Sequence, residues 1–311
     1  MWSVWWQRIG NFLSNPLLRK ELRQRMRSLR TVLAVSLYLI VIGAVAFTFM
    51  YVNVQGQTLL LQPTRTAELF TFLSYLQLAL ISFVTPGIAS GVISGERERQ
   101  TLPVLLTTPL SPWSVIFTKW MTSISFLVLL ILMTFPLYSI VFLFGGVVPS
   151  QVLAVFGLQF MTLGAIASIS IFWSTIVQRT GWSTVLSYAT VAAVFIGGSV
   201  VGYLFDTIAA HSPDQTIWVD LGTVAYTINP IYMQASLEAS LGFITPAFHN
   251  SIVASVFTTV QLHNLMSAPS WLIYATIYIL GSFLLLVICA WRLRPGTFTI
   301  TQKRLLRWLL R

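Results

Sequence analysis

Charge is scarce in this 311-residue chain, and that scarcity excludes a water-soluble globular domain. Only 8% of the residues are Asp, Glu, Lys or Arg, whereas 56% are hydrophobic. A soluble domain usually has about 25% charged residues, which cover its surface in water. The composition therefore indicates a protein that lies largely inside a lipid bilayer.

The chain also lacks the residue patterns of several kinds of site. It has one cysteine, three widely spaced histidines without zinc-ligand spacing, and no G-x-x-x-x-G-K-[ST] phosphate-binding loop. No ionisable residue lies at the centre of an apolar segment, where an ion-driven carrier normally has one. This disfavours a membrane-embedded enzyme and a secondary carrier. We predict no catalytic residue, metal site or cofactor in this chain, and we expect its energy source on another subunit.

Six apolar segments are long enough to cross a bilayer as helices. About 20 helical residues cover a hydrocarbon core of about 30 Å. The six predicted spans are 31–52, 68–94, 120–144, 151–177, 183–205 and 271–291. Each is apolar on all faces, and none shows the ten-residue alternation of a β-barrel strand. The sequence therefore predicts an all-α integral membrane protein with six transmembrane helices.

The basic residues orient these spans. With six crossings, 17 of the 18 Lys and Arg residues fall on one side, and Arg65 is the exception. The positive-inside rule then places both termini in the cytoplasm. We expect a multi-pass protein of the cell inner (plasma) membrane.

The stretch 206–270, between spans 5 and 6, is predicted to be extracytoplasmic. It has no Lys or Arg and carries four acidic residues, Asp206, Asp214, Asp220 and Glu238. It is too apolar for a loose surface loop. We predict short amphipathic or re-entrant helices here, with a turn or helix start at Asn229-Pro230.

We predict two regions. Residues 1–30 form a cytoplasmic N-terminus with an amphipathic helix. Residues 31–311 form one transmembrane domain, which ends in a cytoplasmic tail at 292–311. Asn15 suits the N-cap of the amphipathic helix, and Pro16 suits its first position. Apolar residues recur on one face, and basic residues occupy the others. The residues assigned to this helix are Leu18, Leu22, Arg23, Met26 and Arg27. We expect the helix to lie along membrane lipid, so its charges do not indicate nucleic-acid binding.

The segment 95–112, between spans 2 and 3, is the most specific signal in the chain. It reads GERERQTLPVLLTTPLSP. Alternating charges stand where the chain leaves the membrane, Thr101 can cap a short helix, and several apolar residues follow. This pattern predicts a docking element for another protein. The alternative is an ordinary loop with one helical turn.

Three glycines, Gly87, Gly91 and Gly95, recur at four-residue intervals in span 2 and just beyond it. Small residues let membrane helices approach closely. This spacing favours packing within one subunit, and the alternative is a helix that slides or rotates during gating.

The pattern ERERxTL…LLxTPLS and the opening NPLLRKELRQRMRS resemble the permease subunits of type-2 (ABC-2) ATP-binding-cassette exporters. The resemblance covers essentially the whole chain. It implies that the N-terminal amphipathic helix is an elbow helix and that 95–112 holds a coupling helix seated in an ATPase subunit. The implied coupling residues are Glu96, Glu98, Thr101, Leu102, Leu105, Leu106, Thr107 and Pro109. Two departures from the family pattern are Gln100, where glycine is common, and Pro103, where an acidic residue is common.

The same resemblance implies the function and the partners. The chain would be a permease that pairs with a second copy or a sister permease and with two cytoplasmic ATPase subunits, which bind the ATP. It would export a lipid-like, drug-like or polymeric solute. The alternative is a membrane protein that uses the same ATPase coupling to transmit force without transporting a solute.

Overall fold

The structure, a computed structural model, describes residues 29–54, 63–102, 111–143, 147–212, 215–241 and 270–293. Within these ranges the regular elements are α-helices, and no β-strand occurs among them. The helices are α1 Leu29–Val54, α2 Pro63–Ala89, α3 Ser94–Glu98, α4 Pro112–Met133, α5 Phe135–Leu143, α6 Pro149–Ile176, α7 Thr180–His211, α8 Gln215–Ile228, α9 Pro230–Ser240 and α10 Ser270–Arg292.

Five helical stretches in the described ranges are long and apolar enough to cross a membrane, which confirms a multi-pass membrane protein. They are span 2, Thr66–Glu98; span 3, Pro112–Ser139; span 4, Pro149–Ile176; span 5, Thr180–His211; and span 6, Trp271–Arg292. The predicted first span corresponds to α1, whose apolar part with described side chains is the shorter stretch Val35–Phe49. Six crossings therefore stay a prediction.

Local sequence explains where several of these helices begin and bend. Ser111 caps α4, because its hydroxyl accepts a hydrogen bond from Ser114 N at 3.2 Å, and Pro112 takes the first helical position. Helix α4 ends at Met133, and after its C-cap Thr134 the chain continues as α5, whose second residue is Pro136. This break lies where a proline cannot continue the hydrogen-bond ladder of the helix.

Span 4 is the central helix of the bundle. It contacts spans 2, 3, 5 and 6 and the short helix α9. Its polar side chains, among them Gln159, Thr162 and Ser174, are fully buried. Several of its hydroxyls donate to the carbonyl four residues earlier, as Ser170 does to Ile166 O at 2.8 Å, which satisfies them away from water.

The predicted glycine face of span 2 packs against span 5. A Cβ atom added at Gly87 would lie 3.1 Å from the Tyr188 hydroxyl, and one at Gly91 would lie 3.2 Å from Thr180 Cγ2. Tyr188 donates from that close position to Phe83 O at 2.9 Å. Packing within one subunit, the favoured interpretation of these glycines, therefore explains their positions.

Helices α8 and α9 form a hairpin that enters the bundle and returns to the same end. Helix α8 runs antiparallel to span 5: Tyr226 Oη donates to Asp206 Oδ2 at 2.8 Å, and Asn229 Nδ2 donates to Ser199 Oγ at 2.7 Å. Since Ser199 is 12 residues before the end of α7, the turn lies about 18 Å below that end. Leu241 is the residue that follows α9. Its carbonyl oxygen accepts a hydrogen bond from Gln151 Nε2 at 2.8 Å, close to the start of span 4.

We call α8 and α9 together the re-entrant hairpin, and we call the bundle end from which it inserts the far end. Asn229 is the N-cap of α9, with Oδ1 accepting from Ile231 N at 2.9 Å, and Pro230 takes the first helical position. The predicted helix start at Asn229-Pro230 is thus confirmed. Residues 213–214 and 242–269 of the predicted region lie outside the described residues.

Candidate functional site

The segment 93–102 is tied to the ends of three other spans, and we call this set of contacts the junction. It lies at the bundle end opposite to the far end. Glu96 Oε1 forms an ion pair with Lys119 Nζ of span 3. The Lys119 side chain is 8% exposed and that of Glu96 is 25% exposed, so the pair is largely removed from water.

Arg97 binds the last carbonyl groups of span 4. Its guanidinium donates to Thr175 O at 3.1 Å and to Val177 O at 3.3 Å. The last carbonyls of a helix have no partner within the helix and carry the negative end of its dipole. Arg97 therefore satisfies two acceptors that span 4 itself cannot satisfy.

Glu98 caps the start of span 5. Its carboxylate accepts from Thr180 N at 2.7 Å and from Thr180 Oγ1 at 2.8 Å. The N-cap residue of this helix, Arg179, supplies no side-chain capping bond. A carboxylate from another element thus takes the capping role at the positive end of the helix dipole.

A serine of span 4 binds the start of α3. Ser174 Oγ accepts from Ile93 N and from Ser94 N, each at 3.0 Å. These two amides therefore have a partner from span 4 at the point where span 2 turns into α3. Together with the three charged contacts, this serine links the end of span 2 to spans 3, 4 and 5.

Sequence reasoning located the charged residues of the junction but not their partners. In the structure Glu96 pairs with Lys119, and Glu98 binds Thr180. Arg97 and Glu98 bind groups about 80 residues away, and most of these are backbone groups, which no local pattern reveals.

The remaining predicted coupling residues fall into two groups. Thr101 is exposed, with Oγ1 donating to Glu96 O at 3.1 Å, and Leu102 is buried in one cluster with Ile116 and Leu293. Those outside the described residues are Leu105, Leu106, Thr107 and Pro109, and the elbow residues Leu18, Leu22, Arg23, Met26 and Arg27.

Gln100 has a backbone conformation that suits glycine. Its φ is 57°, in the left-handed region where a Cβ atom is crowded by the carbonyl oxygen that follows. The chain reverses here, and Thr101 N donates to Glu96 O at 2.9 Å. Glycine is the residue that the family resemblance leads one to expect at this position.

Replacing Gln100 by glycine should stabilise the protein by about 1 kcal/mol, because glycine adopts φ near +57° without the clash. The measurement is the free energy of unfolding of the purified chain in mixed micelles. Gln100→Ala is the matched control, since it removes the same side chain but keeps the Cβ atom. Equal stabilisation by both changes would contradict the backbone explanation.

A second group of polar residues is buried between spans 2 and 4 and the re-entrant hairpin. Three side chains converge on Ser74: Glu238 Oε1 accepts from Ser74 Oγ at 2.6 Å, and Gln234 Nε2 donates to Ser74 Oγ at 2.9 Å. Gln159 Nε2 donates to Ser74 O at 3.0 Å. All four residues are at most 2% exposed, and we call them the Ser74 network.

Sequence reasoning missed this network because Glu238 does not lie in any predicted span. Burial raises the pKa of the Glu238 carboxyl to about 7, although hydrogen bonds from Ser74 and Gln234 favour its ionised form. The signal in the sequence is the pair Gln234 and Glu238, which are four residues apart and therefore share one face of the short helix that starts after Asn229.

An apolar cavity of about 150 Å³ lies beneath the turn of the re-entrant hairpin. Spans 4, 5 and 6 and the turn contribute to its walls. The lining includes Ala165, Phe195, Pro230, Tyr278 and Leu285. Tyr278 also donates from its hydroxyl to Ile228 O at 2.7 Å, which ties span 6 to the hairpin at the edge of the cavity.

The comparisons with known proteins give one family. A family model described as "ABC-2 family transporter protein" matches residues 16–297, which include all the residues described above as the junction and the Ser74 network. No curated protein matches this chain.

Proposed function

We propose a function from one premise: this chain belongs to the ABC-2 family of transporter proteins. It is the membrane subunit of an ATP-binding-cassette exporter, and it moves a solute across the membrane with energy from separate ATPase subunits. The ATP is bound by those subunits and not by this chain. The observation that carries the proposal is the junction.

The junction supports the proposal because a displacement of this segment would be transmitted to most of the spans in the bundle. The segment that would meet the ATPase follows Leu102 directly, and Leu102 itself is buried beside Ile116 and Leu293. Leu102 would therefore anchor the coupling segment, and the docking surface would come from the residues after it. A push on that surface reaches span 2 through the backbone and spans 3, 4 and 5 through the contacts of Glu96, Arg97 and Glu98.

Spans 2 and 5 are also hydrogen-bonded to each other deeper in the bundle than the junction. A displacement at the junction would therefore move more than the helix ends. Ser90 Oγ and Thr184 Oγ1 share a hydrogen bond of 2.8 Å, and Ser183 Oγ donates to Ser90 O at 2.8 Å. Span 4 is bonded to span 2 at Ser174 and again at Gln159. Spans 2, 4 and 5 would move as one unit during an ATPase stroke.

The finer assignments follow from the family and the predicted orientation. The elbow and coupling helices would face the cytoplasm, where both termini lie in a cell inner (plasma) membrane. Two permeases, identical or sister chains, would enclose the path. The apolar cavity beneath the hairpin turn favours an exported solute with an apolar part, such as a lipid-like or drug-like molecule.

Replacing Leu105 and Leu106 together by aspartate should abolish binding of the ATPase, because buried carboxylates oppose docking of an apolar helix. The measurement is co-purification of an affinity-tagged chain with an ATP-binding-cassette ATPase subunit from the cells that produce it. The double change to isoleucine is the matched control, since it keeps both positions apolar, and it should retain the ATPase. Unchanged binding of the aspartate variant would contradict the docking proposal.

A transport assay then separates export from the alternative of force transmission. The complex is reconstituted in vesicles, and ATP-dependent movement of fluorescent lipid and drug probes is followed. Export predicts movement that the aspartate variant loses. An active complex whose ATP hydrolysis depends on this chain, yet which moves no solute, would favour force transmission.

A further inference from the structure

Glu238 is buried inside the bundle, where a charged group is costly. It binds Ser74, which is 11 residues after the start of α2, and the network includes Gln159, 10 residues after the start of α6. At 1.5 Å per residue both positions are about 15 Å along their helices from the far end. An ionisable residue at this depth is a functional candidate in its own right.

The Ser74 network leaves three buried oxygen atoms without a hydrogen-bond donor among the described residues. They are Glu238 Oε2, Gln159 Oε1 and Gln234 Oε1. The buried Thr71 hydroxyl, which has no acceptor among the described residues, is the one donor near them, and it favours the ionised form of Glu238. The two amide groups are oriented by their contacts, because each amide nitrogen already donates to Ser74. The free atoms are therefore acceptors, and a buried acceptor without a donor destabilises the packed state. A site with surplus acceptors and one carboxyl is suited to a positively charged ligand.

Within the part of the chain that the structure describes, no cation faces Glu238. Tyr75 of span 2 and Tyr138 of α5 are its titratable neighbours, and Tyr38 of α1 faces Tyr138. These are phenols, which ordinarily ionise only near pH 10. Span 4 has no titratable residue.

The tyrosines on the other helices packed against α9 bind groups other than Glu238. On span 6, Tyr274 binds Thr162, and Tyr278 binds Ile228 O. On α8, Tyr226 binds Asp206 and stacks on Tyr232 of α9. The Lys and Arg residues with described side chains lie at the junction end of their spans: Arg97, Arg99, Lys119, Arg179 and Arg292. His211, at the far end of span 5, is exposed and bonds to Thr207 O of its own helix.

We propose that Glu238 is a proton-binding site that couples protonation to the position of the re-entrant hairpin. With the proton on Oε2, the carboxyl is neutral and the hairpin stays packed on spans 2 and 4. When the hairpin opens toward the far end, water reaches Oε2, the O–H bond breaks, and the proton passes to water and leaves a hydrated carboxylate. This goes beyond the proposed function and does not depend on ATP hydrolysis.

The direction of the pH effect follows from linkage. The carboxyl has a pKa of about 7 when packed, against an ordinary value of 4.5 when it is exposed to water. The packed hairpin thus binds the proton more tightly, and it is fully stable only below about pH 4.5. The stability of the packed hairpin relative to the open one falls as the pH rises to about 7 and is then constant. The packed-to-open ratio changes by roughly three hundredfold over that interval.

The test measures protonation directly in the full-length chain, purified into lipid nanodiscs without an ATPase. Infrared difference spectra follow the C=O stretch of a protonated carboxylic acid as the pH is raised. We expect a band that disappears with a midpoint near pH 7. Glu238→Gln should remove this band, while Glu68→Gln, which changes a half-buried carboxyl at the far end of span 2, should leave it.

Two further results distinguish a proton site from a merely structural carboxyl. Ser74→Ala removes a donor to the ionised form, so it should raise the midpoint above that of the unchanged chain. The melting temperature should fall between about pH 5 and about pH 8 in the unchanged chain and much less in Glu238→Gln. A midpoint near 4.5, or a band that survives Glu238→Gln, would overturn the proposal. So would a midpoint that falls when sodium replaces choline, because the site would then hold a metal cation.

Discussion

Replacing Lys119 by methionine should destabilise the protein by about 3 kcal/mol, the low end of the range for breaking a buried ion pair from one side. Glu96 would then keep a carboxylate at the junction without its cation, and its Oε2 already has no hydrogen-bond partner among the described residues. The effect lies at the low end because Glu96 is 25% exposed and water can solvate part of the charge. The measurement is the free energy of unfolding in mixed micelles.

The double variant Lys119→Met with Glu96→Gln isolates the ion pair from the packing of the lysine stem. It has no charge left unpaired, so we expect it to recover most of the lost stability. Glu96→Gln alone completes the cycle. If the double variant were as unstable as Lys119→Met, the loss would come from the stem and not from the charge.

The span positions were predictable because hydropathy depends on composition and length alone. Spans 2 to 6 all coincide with predicted apolar segments, but each helix begins earlier or ends later than its segment, and span 3 ends at Ser139, before the predicted residue 144. Span 5 was expected to end at residue 205, and helix α7 continues to His211. Its polar Asp206 is acceptable inside a helix because the Tyr226 hydroxyl binds it, and Tyr226 belongs to another helix. The hydropathy of one segment does not reveal a contact with a residue of another helix.

The Ser74 network was not predictable for the same physical reason. No span carries a central ionisable residue, and this observation argued against a titratable group inside the membrane. The re-entrant hairpin instead inserts Glu238 between spans 2 and 4 from the far end. The short helices and their start at Asn229 were predicted, but their depth depends on contacts of Asn229 with Ser199 and of Leu241 with Gln151.

The junction and the Ser74 network are joined by the same two helices. Spans 2 and 4 are bonded at Ser174 near one end and through Gln159 at mid-depth. A rigid displacement of these two helices at the junction would therefore move the surface on which α9 packs. Glu238 would sense that displacement, because both of its hydrogen bonds depend on the position of Ser74. This geometry gives the proposed coupling segment a route to the far end.

Replacing Gly202 by alanine should detach the re-entrant hairpin from span 5 and cost about 3 kcal/mol. The added Cβ atom would lie 2.5 Å from Tyr226 Cε1 and Cζ, so the buried tyrosine would have to move. Overpacking of this kind costs about 1 to 3 kcal/mol. The movement would also break the hydrogen bond from Tyr226 to Asp206, and a bond to a charged group contributes about 1.5 to 3 kcal/mol. The better helix propensity of alanine offsets only about 1 kcal/mol.

The matched control is Gly197→Ala on the same helix, where an added Cβ atom meets no heavy atom within 4 Å. It should be neutral or slightly stabilising, because it gains helix propensity without a clash. Hydrogen exchange of residues 215–241 gives the local readout, and Gly202→Ala should accelerate exchange there more than in span 4. Adding Tyr226→Ala to Gly202→Ala should then cost little, because the clash and the lost hydrogen bond share one side chain. Exchange in the hairpin that stayed slow in Gly202→Ala would show that the hairpin does not depend on this contact.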